Sequence, residues 1–238
     1  MTIFNGKVEF GYSSLVDGNL DFRFGKQDIV KKRREEFFAR NHLIPQKSVV
    51  FIAEHANKIA EVGPEDAGKG VFSSNDQFVL DGLITRSKGL NLCLLVADCV
   101  ALVLYDKTNG ILALVHVGSK NLALGTVGKA VEKMREAADG QEAEIGAATS
   151  PFIKKCCYDF YKIPEHLIGL KEYFIERDKL FYLDTEKVLH EQLLAAGLKE
   201  ENIEISKLCS YHDKFPSHRR SDEAGESESR MLVYAKMI

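Results

Sequence analysis

A cysteine and a histidine, residue types that bind metals and act in nucleophilic catalysis, lie on the two arms of one predicted β-hairpin. Cys99 lies in a long apolar run over residues 90–105, and His116 lies in a second run over 111–117. The segment Asp106-Lys-Thr-Asn-Gly110 separates the two runs. Its Asn-Gly pair predicts a tight turn, because both residues readily adopt positive φ angles.

The register of this hairpin decides whether the two side chains meet. If Leu104 pairs with Ile111, Cys99 lies directly across from His116, with Cβ atoms about 5 Å apart. A slip of one residue would send the two side chains to opposite faces of the sheet. At this distance the thiolate and the imidazole can share one metal ion, or they can act as the nucleophile and the base of a cysteine hydrolase.

Composition and charge favour a protein that acts on small molecules. The chain has 238 residues, of which 45% are hydrophobic, so we expect one α/β domain over residues 1–238 with a substantial core. Its 32 basic and 35 acidic residues are mixed along the chain, which disfavours partners such as nucleic acid or an anionic membrane. No apolar run reaches the roughly 18 residues of a membrane span, and the N-terminal segment lacks a signal-peptide core. We expect a cytoplasmic protein of undetermined oligomeric state.

The five cysteines predict reduced thiols. Their number is odd, and Cys93, Cys99 and Cys209 lie in apolar runs that are typical of buried strands rather than of a disulfide framework. Cys156 and Cys157 are adjacent, and a disulfide between neighbours is strained. We therefore expect this pair to have mainly a packing role.

The apolar periodicity predicts the fold class. It is helical near residues 28–41, 126–139 and 185–196. In the predicted strands of the central hairpin, apolar residues occupy both faces, so other layers must cover both sides of the sheet. These patterns predict an α/β (α+β) fold with a mixed, largely antiparallel β-sheet core layered by α-helices.

Three short motifs carry a resemblance to a known family. Asp81-Gly-Leu-Ile-Thr85, Ala97-Asp-Cys99 and His116-Val-Gly118 resemble the multicopper polyphenol oxidase (laccase-domain) family, whose bacterial members are also described as zinc-dependent purine nucleoside phosphorylases. The resemblance extends over nearly the whole chain and implies the laccase-domain fold. It also implies that His55 joins Cys99 and His116 as a ligand of one metal ion.

The three implied ligands are far apart in sequence, unlike those of a zinc finger, so the fold must assemble the site. Three nitrogen or sulfur ligands with an open fourth position are typical of a catalytic zinc, at which bound water ionises near neutral pH. Asp81 and Asp98 are candidates to orient a ligating imidazole, although either could simply cap a strand.

The resemblance further implies contacts to substrate or phosphate. The segment Ser217-His-Arg-Arg220 and Arg230 resemble the family's C-terminal basic elements, and Arg34 matches an arginine on a family helix. A guanidinium binds phosphate through two parallel hydrogen bonds, and Arg34 is therefore a candidate catalytic residue beside Cys99 and His116. The candidate substrate- and phosphate-binding residues are Asn19, Arg34, Lys120, Ser217, Arg219 and Arg220.

The function that the resemblance implies is a zinc-dependent purine nucleoside phosphorylase. Its partners would be phosphate and the nucleosides adenosine, inosine and methylthioadenosine, and it would also deaminate adenosine. A copper-dependent polyphenol oxidase (laccase) is the alternative, because blue-copper sites use two histidines and a cysteine. The sequence lacks the paired His-x-His motifs of a multicopper cluster. A non-catalytic relative and the cysteine hydrolase remain as further alternatives.

The chain departs from the family's pattern directly after His116. The family's His-Ala-Gly-Trp-Arg-Gly reads His116-Val-Gly-Ser-Lys-Asn121 here. A flat stacking surface for a purine and a bidentate phosphate clamp are thereby lost at Ser119 and Lys120. Lys120 keeps a positive charge, but on a flexible stem. The sequence therefore predicts retained metal binding with weakened or altered nucleoside turnover.

Overall fold

The computed structural model describes residues 1–225 and 227–238. The helices within these ranges are α1 (Gln27–Arg40), α2 (Ser119–Ala123), α3 (Thr126–Ala137), α4 (Thr185–Ala195) and α5 (His218–Ala224). The strands are β1 (Thr2–Ile3), β2 (Val8–Tyr12), β3 (Ser48–Ile52), β4 (Ile59–Glu61), β5 (Phe78–Val79), β6 (Gly82–Thr85), β7 (Asn91–Val96), β8 (Val100–Asp106), β9 (Ile111–Val117), β10 (Ile145–Thr149), β11 (Asp159–Phe160), β12 (Phe174–Arg177), β13 (Leu180–Leu183), β14 (Ile203–Glu204) and β15 (Met231–Met237).

Two six-stranded sheets contain most of these strands. The first has the order β1-β2-β15-β7-β3-β5, and the second has the order β14-β10-β8-β9-β6-β4. Most neighbouring strands are antiparallel, but β3 is parallel to β5 and β7, β4 is parallel to β6, and β10 is parallel to β14. A small third sheet has the order β11-β13-β12. The predicted mixed, largely antiparallel α/β fold is confirmed, but its core consists of two sheets rather than one.

The two large sheets pack face to face, and helices cover their outer faces. Leu94 of β7 and Leu114 of β9 belong to the apolar core between the sheets. Val115 points to the other side of the second sheet and packs with Val131 of α3. Phe37 of α1 packs on the outer face of the first sheet. Burial on both faces explains why the central strands are apolar at nearly every position.

The helices agree with the periodicity of the sequence. Helices α1, α3 and α4 match the three predicted ones, with ends that differ by no more than two residues. The short helices α2 and α5 were not predicted. In the part of the chain that the structure describes, none of the helices combines the length and the hydropathy needed to cross a bilayer.

The apolar run over residues 90–105 is not a single strand. It forms β7 in the first sheet and β8 in the second, and Ala97, Asp98 and Cys99 carry the chain from one sheet to the other. The break occurs at Asp98, whose φ angle of 68° is incompatible with an extended strand. Cys99 therefore lies at the crossover between the two sheets.

The register of the central hairpin differs by two residues from the one that would place Cys99 directly opposite His116. Leu104 pairs with Ala113, and the residue opposite His116 is Ala101 rather than Cys99. Because side chains alternate along a strand, a shift of two residues keeps every side chain on its predicted face. Cys99 consequently remains on the same face as His116, one pleat away.

The turn explains the shift. Four residues, 107–110, separate the paired strand ends, and Gly110 but not Asn109 has a positive φ angle, of 66°. The Asp106 carboxylate accepts the backbone N–H of Thr108 at 2.9 Å and the side-chain N–H of Asn109 at 2.7 Å. The predicted tight Asn-Gly turn is therefore wrong, because the Asp106 side chain stabilises a longer loop.

Candidate metal centre

Three side chains from separate segments converge at the crossover between the sheets. His55 follows β3, Cys99 precedes β8 and His116 lies in β9, and one donor atom of each lies within 4.8 Å of the other two. The two imidazole rings meet edge to face, with centroids 4.7 Å apart. We call these three residues the donor cluster. Donors to one tetrahedral zinc lie about 3.3 to 3.8 Å apart, so small side-chain adjustments suffice for a shared ion.

Asp81 organises the two histidines. Its buried carboxylate accepts the backbone N–H groups of His55 at 2.8 Å and of Ala56 and Asn57 at 2.7 Å. These bonds hold a loop in which His55 and Asn57 have positive φ angles of 63° and 64°. Asp81 Oδ1 also lies 3.4 Å from Nδ1 of His116. With Nδ1 directed at the carboxylate, Nε2 of His116 is the nitrogen that remains for a metal.

Gly118 leaves room for two of the donors. A Cβ atom at this position would lie 3.0 Å from the sulfur of Cys99 and 3.1 Å from Cε1 of His116. Any larger residue would displace one donor or the other. The glycine that follows β9 is thus part of the architecture of the donor cluster.

The donors perturb one another's pKa values. Burial raises the pKa of the Cys99 thiol, but the imidazoles of His116 and His55 outweigh burial and lower this pKa to about 6. Burial lowers the pKa of His116, but Cys99 and Asp81 outweigh it and raise the pKa to about 9. The two opposite shifts in pKa favour a thiolate beside an imidazolium, and a metal ion would displace the imidazolium proton. The same ion pair is also that of a cysteine nucleophile with its base.

The donor cluster borders a cavity of about 270 Å³, near the lower limit of small-molecule sites. Arg23, His218 and Arg230 also line this cavity. The guanidinium groups of Arg23 and Arg230 lie 5.3 and 4.3 Å from the ring centroid of Phe24. The Glu228 carboxylate lies 2.7 Å from Nδ1 of His218 and forms an ion pair with Arg230 at 2.6 Å. The cavity thus combines metal donors with fixed cationic groups.

Asp98, the neighbour of Cys99, accepts hydrogen bonds from side chains and backbone groups of other segments. Its carboxylate accepts the hydroxyl of Ser210 at 2.6 Å and the backbone N–H of Arg219 at 2.8 Å. Its carbonyl accepts the N–H of Ile153 at 2.9 Å. The sequence-based expectation that Asp98 orients an imidazole is therefore corrected. Asp98 fixes the crossover that carries Cys99.

Arg34 does not line the cavity. Its side chain is fully buried, and it donates to the carbonyl of Leu20 at 2.7 Å and to those of Gly70 and Val71 at 2.6 and 2.7 Å. Its guanidinium lies 4.3 Å from the ring centroid of Phe22. Backbone carbonyls occupy Nε and Nη1 of Arg34, whereas its buried Nη2 has no hydrogen-bond partner among the described residues. Arg34 thus has structural contacts away from the cavity, and its catalytic and phosphate-binding role stays a prediction.

Three other candidate binding residues also have structural contacts. Asn19 accepts the backbone N–H of Arg230 at 3.0 Å. Ser217 caps α5, and Arg220 donates to the carbonyls of Ser210, Tyr211 and Phe215. These residues shape the segment around the cavity, but they are not among the side chains that line it.

The remaining two candidates differ from each other. Arg219 forms an ion pair with Asp159 at 2.7 Å, which directs its guanidinium to β11. Lys120 is exposed in the first turn of α2, next to the donor cluster. The neighbouring Ser119 lies 3.3 Å from Nε2 of His166 and lines a crevice of about 20 Å³ beside Cys99.

Arg23 was missed as a cavity residue, and His218 and Arg230, although part of the recognised basic elements, were not named among the binding residues. Arg23 is two residues from its ion-pair partner Asp21, so the sequence suggests only a local turn. His218 lies within a recognised basic motif. As the first residue of α5 it faces the cavity, while Arg219 and Arg220 contact the body of the protein. A prediction that a helix begins at His218 would have distinguished this residue from Arg219 and Arg220.

Comparison with known proteins gives one family and one fold. The family model described as multi-copper polyphenol oxidoreductase laccase matches residues 8–234. The purine nucleoside phosphorylase of Aquifex aeolicus is 30% identical over 220 residues, which cover 90% of this chain and 91% of that protein. The purine nucleoside phosphorylase YlmD of Bacillus subtilis is 27% identical over 223 residues, covering 88% and 77%. The crystal structure of YlmD from Geobacillus stearothermophilus shares the fold, with a TM-score of 0.88 at 23% identity over 97% of this chain and 92% of that one.

Proposed function

This chain belongs to the multi-copper polyphenol oxidoreductase laccase family, as its motifs predicted, and we propose that it is a metal-dependent purine nucleoside phosphorylase. Its substrates are inosine, adenosine and methylthioadenosine, and it also deaminates adenosine. The names of the relatives from A. aeolicus and B. subtilis support this reaction class. The observation that carries the proposal is a cluster of three metal donors at a cavity that Arg23 and Arg230 also line.

The donor set fits zinc. His55, Cys99 and His116 would hold the ion, and the cavity side would remain open for a fourth ligand. When bound, zinc supplies a Lewis acid that polarises a substrate oxygen or acidifies a water molecule. Asp81 would hold His116 in the tautomer whose Nε2 carries no proton. The thiolate character of Cys99 suits the ligand form that a metal requires.

The basic side of the cavity suits phosphate. Arg23 and Arg230 would position the anion beside the anomeric carbon of the nucleoside. In phosphorolysis the bond from this carbon to the purine nitrogen breaks, a phosphate oxygen bonds to the carbon, and the purine leaves after gaining a proton. Positive charge that develops on the sugar is stabilised by the neighbouring phosphate. The arginines contribute by positioning a reactant, because their carboxylate partners hold the guanidinium groups in place.

The changed motif after His116 leads us to infer weakened or altered turnover. Ser119 and Lys120 stand where the resemblance has tryptophan and arginine, at the start of α2. Ser119 contacts His166 instead of offering a flat surface to a purine. Lys120 offers a mobile positive charge with no fixed pair of donors.

A copper-dependent polyphenol oxidase is the second candidate. The description of the family and the donor set of two nitrogens and one sulfur favour it. Among residues 1–225 and 227–238, the other group of metal donors has three cysteines with the single histidine His212 beside them, not the several histidines of a multicopper cluster. Copper-loaded protein that oxidises phenols with dioxygen would support this candidate against the phosphorylase.

Product analysis tests the proposal. Zinc-replete protein is incubated with inosine or adenosine, with and without phosphate, and the products are separated by chromatography. We expect hypoxanthine or adenine together with ribose 1-phosphate only when phosphate is present, and inosine from adenosine in either case. Arg230→Met should raise the KM for phosphate about tenfold, if one contact worth about 1.4 kcal/mol is lost. Arg135→Met on α3 is the matched control, and absence of all products would refute the proposal.

A further inference from the structure

A second group of metal-binding side chains lies outside the candidate metal centre. The sulfurs of Cys156 and Cys157 are 3.2 Å apart, and the sulfur of Cys209 lies 3.7 Å from the first and 3.9 Å from the second. Nε2 of His212 lies 3.0 Å from the sulfur of Cys157. We call these four side chains the thiol cluster. All five cysteines of the chain are free thiols, as predicted, so the sulfurs meet without a disulfide.

Two hydrogen-bonded turns present these side chains to one another. In the first, the N–H of Cys157 donates to the carbonyl of Lys154 at 2.9 Å. In the second, the N–H of Asp213 donates to the carbonyl of Cys209 at 2.9 Å, and the Cys209 N–H donates to the Asp213 carboxylate at 2.7 Å. The second turn carries His212. Backbone geometry therefore fixes the positions from which all four side chains extend.

The backbone also ties the two turns together. Phe152 and Cys209 form an isolated parallel bridge, and the N–H of Ser210 donates to the carbonyl of Phe152 at 3.1 Å. Cys157 and Cys209 are buried in a small apolar cluster, whereas Cys156 and His212 are exposed. The predicted packing role thus holds for Cys157 but is wrong for Cys156. An ion can enter the cluster from the exposed side.

The sulfur separations fit an ion bound by three thiolates. The imidazole of His212, 3.0 Å from the sulfur of Cys157, would turn toward the other two sulfurs to supply the fourth ligand. Thiolates bound to a tetrahedral zinc at 2.3 Å lie about 3.8 Å apart, close to two of the three sulfur separations. The shorter Cys156–Cys157 and Cys157–His212 contacts would lengthen slightly as an ion enters. A disulfide would need about 2.05 Å between two sulfurs, and it would leave the third thiol unpaired. Three cysteines with one histidine are also a common ligand set of structural zinc sites.

We propose that the thiol cluster binds one zinc-class ion in a structural role. Protein side chains would fill all four positions, which leaves none open for a substrate. The ion would join the turn after Lys154 to the turn over residues 209–213. Both segments contact Asp98, through the N–H of Ile153 and the hydroxyl of Ser210. The ion would therefore also stiffen the support of Cys99 in the donor cluster.

Counting metal ions separates the two clusters. Protein is purified with a thiol reductant and without chelator, and its zinc content is measured by elemental mass spectrometry. We expect two ions per chain in the wild type and one in Cys99→Ala, which lacks a ligand of the donor cluster only. Cys157→Ser and Cys209→Ser, added to Cys99→Ala, should remove the remaining ion. Cys93→Ala, added instead, alters a buried cysteine outside both clusters and should leave the count at one.

Cobalt substitution tests the same site by spectroscopy, first with the thiol cluster intact and then without its imidazole. Cobalt(II) bound to Cys99→Ala should give the visible bands of a tetrahedral ion together with thiolate-to-cobalt absorption. Adding His212→Ala, an exposed change, should keep the thiolate absorption but shift the visible bands and weaken binding at least tenfold. Metal-free Cys99→Ala that takes up no cobalt, or that contains a disulfide within the cluster after purification under reductant, would overturn the proposal.

Discussion

The donor cluster and the thiol cluster contain the same residue types but differ in what their surroundings leave open. Two imidazoles and one thiol of the donor cluster lie at the wall of a cavity. The four side chains of the thiol cluster face one another on two hydrogen-bonded turns. An open coordination position permits catalysis, whereas a filled one contributes to folding. Loss of the first site should therefore affect turnover, and loss of the second should affect stability.

The largest effect is expected for Cys99→Ala. Removing this sulfur removes one of three ligands, so phosphorolysis of inosine should fall about 1000-fold or more, equivalent to several kcal/mol of lost metal assistance. The melting temperature should change little, because Cys99 lies at a partly exposed crossover. Initial rates and thermal unfolding in the same buffer check both statements. Activity above a tenth of the wild type would contradict a catalytic donor cluster.

The opposite pattern is expected for Cys209→Ser. If loss of the structural ion costs about 3 kcal/mol, the melting temperature should fall by roughly 6 to 12 °C in a chain of this size. The kcat/KM of the protein that remains folded should change less than about threefold. Calorimetry with parallel rate measurements distinguishes the two clusters. A variant with unchanged stability and lost turnover would reverse their assigned roles.

A smaller effect is expected for Asp81→Asn. An amide no longer favours the His116 tautomer whose Nε2 is free, and it weakens the bonds that hold His55. The affinity of the donor cluster for zinc should fall about 10- to 100-fold. Competition with a chromophoric chelator measures this loss. Asp106→Asn alters another buried carboxylate, away from both clusters, and should leave the affinity unchanged.

The smallest effect is a gain. Ser119→Trp combined with Lys120→Arg restores a stacking surface and a bidentate donor at the start of α2, beside the donor cluster. If one contact worth about 1.4 kcal/mol is regained in the transition state, kcat/KM should rise about tenfold. Steady-state kinetics with inosine check the gain. Lower activity in a folded double variant would show that these positions do not contribute to substrate binding.

The sequence allowed the central hairpin to be predicted, but it left the register of its two strands and their division between sheets open. Side chains alternate between the two faces of a strand, so a register shift by an even number of residues keeps each side chain on its face. The shift of two residues in the hairpin therefore leaves Cys99 and His116 on one face. The split of residues 90–105 between two sheets was not predictable from apolar patterning, since the run is buried on both sides of the break. Asp98, with its positive φ angle, is the local mark of that break.

The roles of the arginines depend on tertiary structure and could not be derived from residue type. A guanidinium donates hydrogen bonds to phosphate oxygens and to backbone carbonyls alike, so the residue type does not reveal which acceptor it meets. Arg34 meets the carbonyls of Gly70 and Val71, which are far from it in sequence. Arg23 reaches the cavity from a single 3₁₀ turn, Phe22–Phe24, in which it lies between two phenylalanines. Only the folded chain separates structural arginines from those that can meet a substrate.

The central claim is that phosphorolysis depends on a metal ion in the donor cluster. The most direct measurement adds zinc stepwise to chelator-treated protein and follows hypoxanthine release from inosine with phosphate. Our account predicts that release is absent before zinc is added, rises to a plateau as the donor cluster fills, and stays absent in Cys99→Ala at every zinc concentration. Full turnover by the metal-free wild type, or by Cys99→Ala, would contradict it.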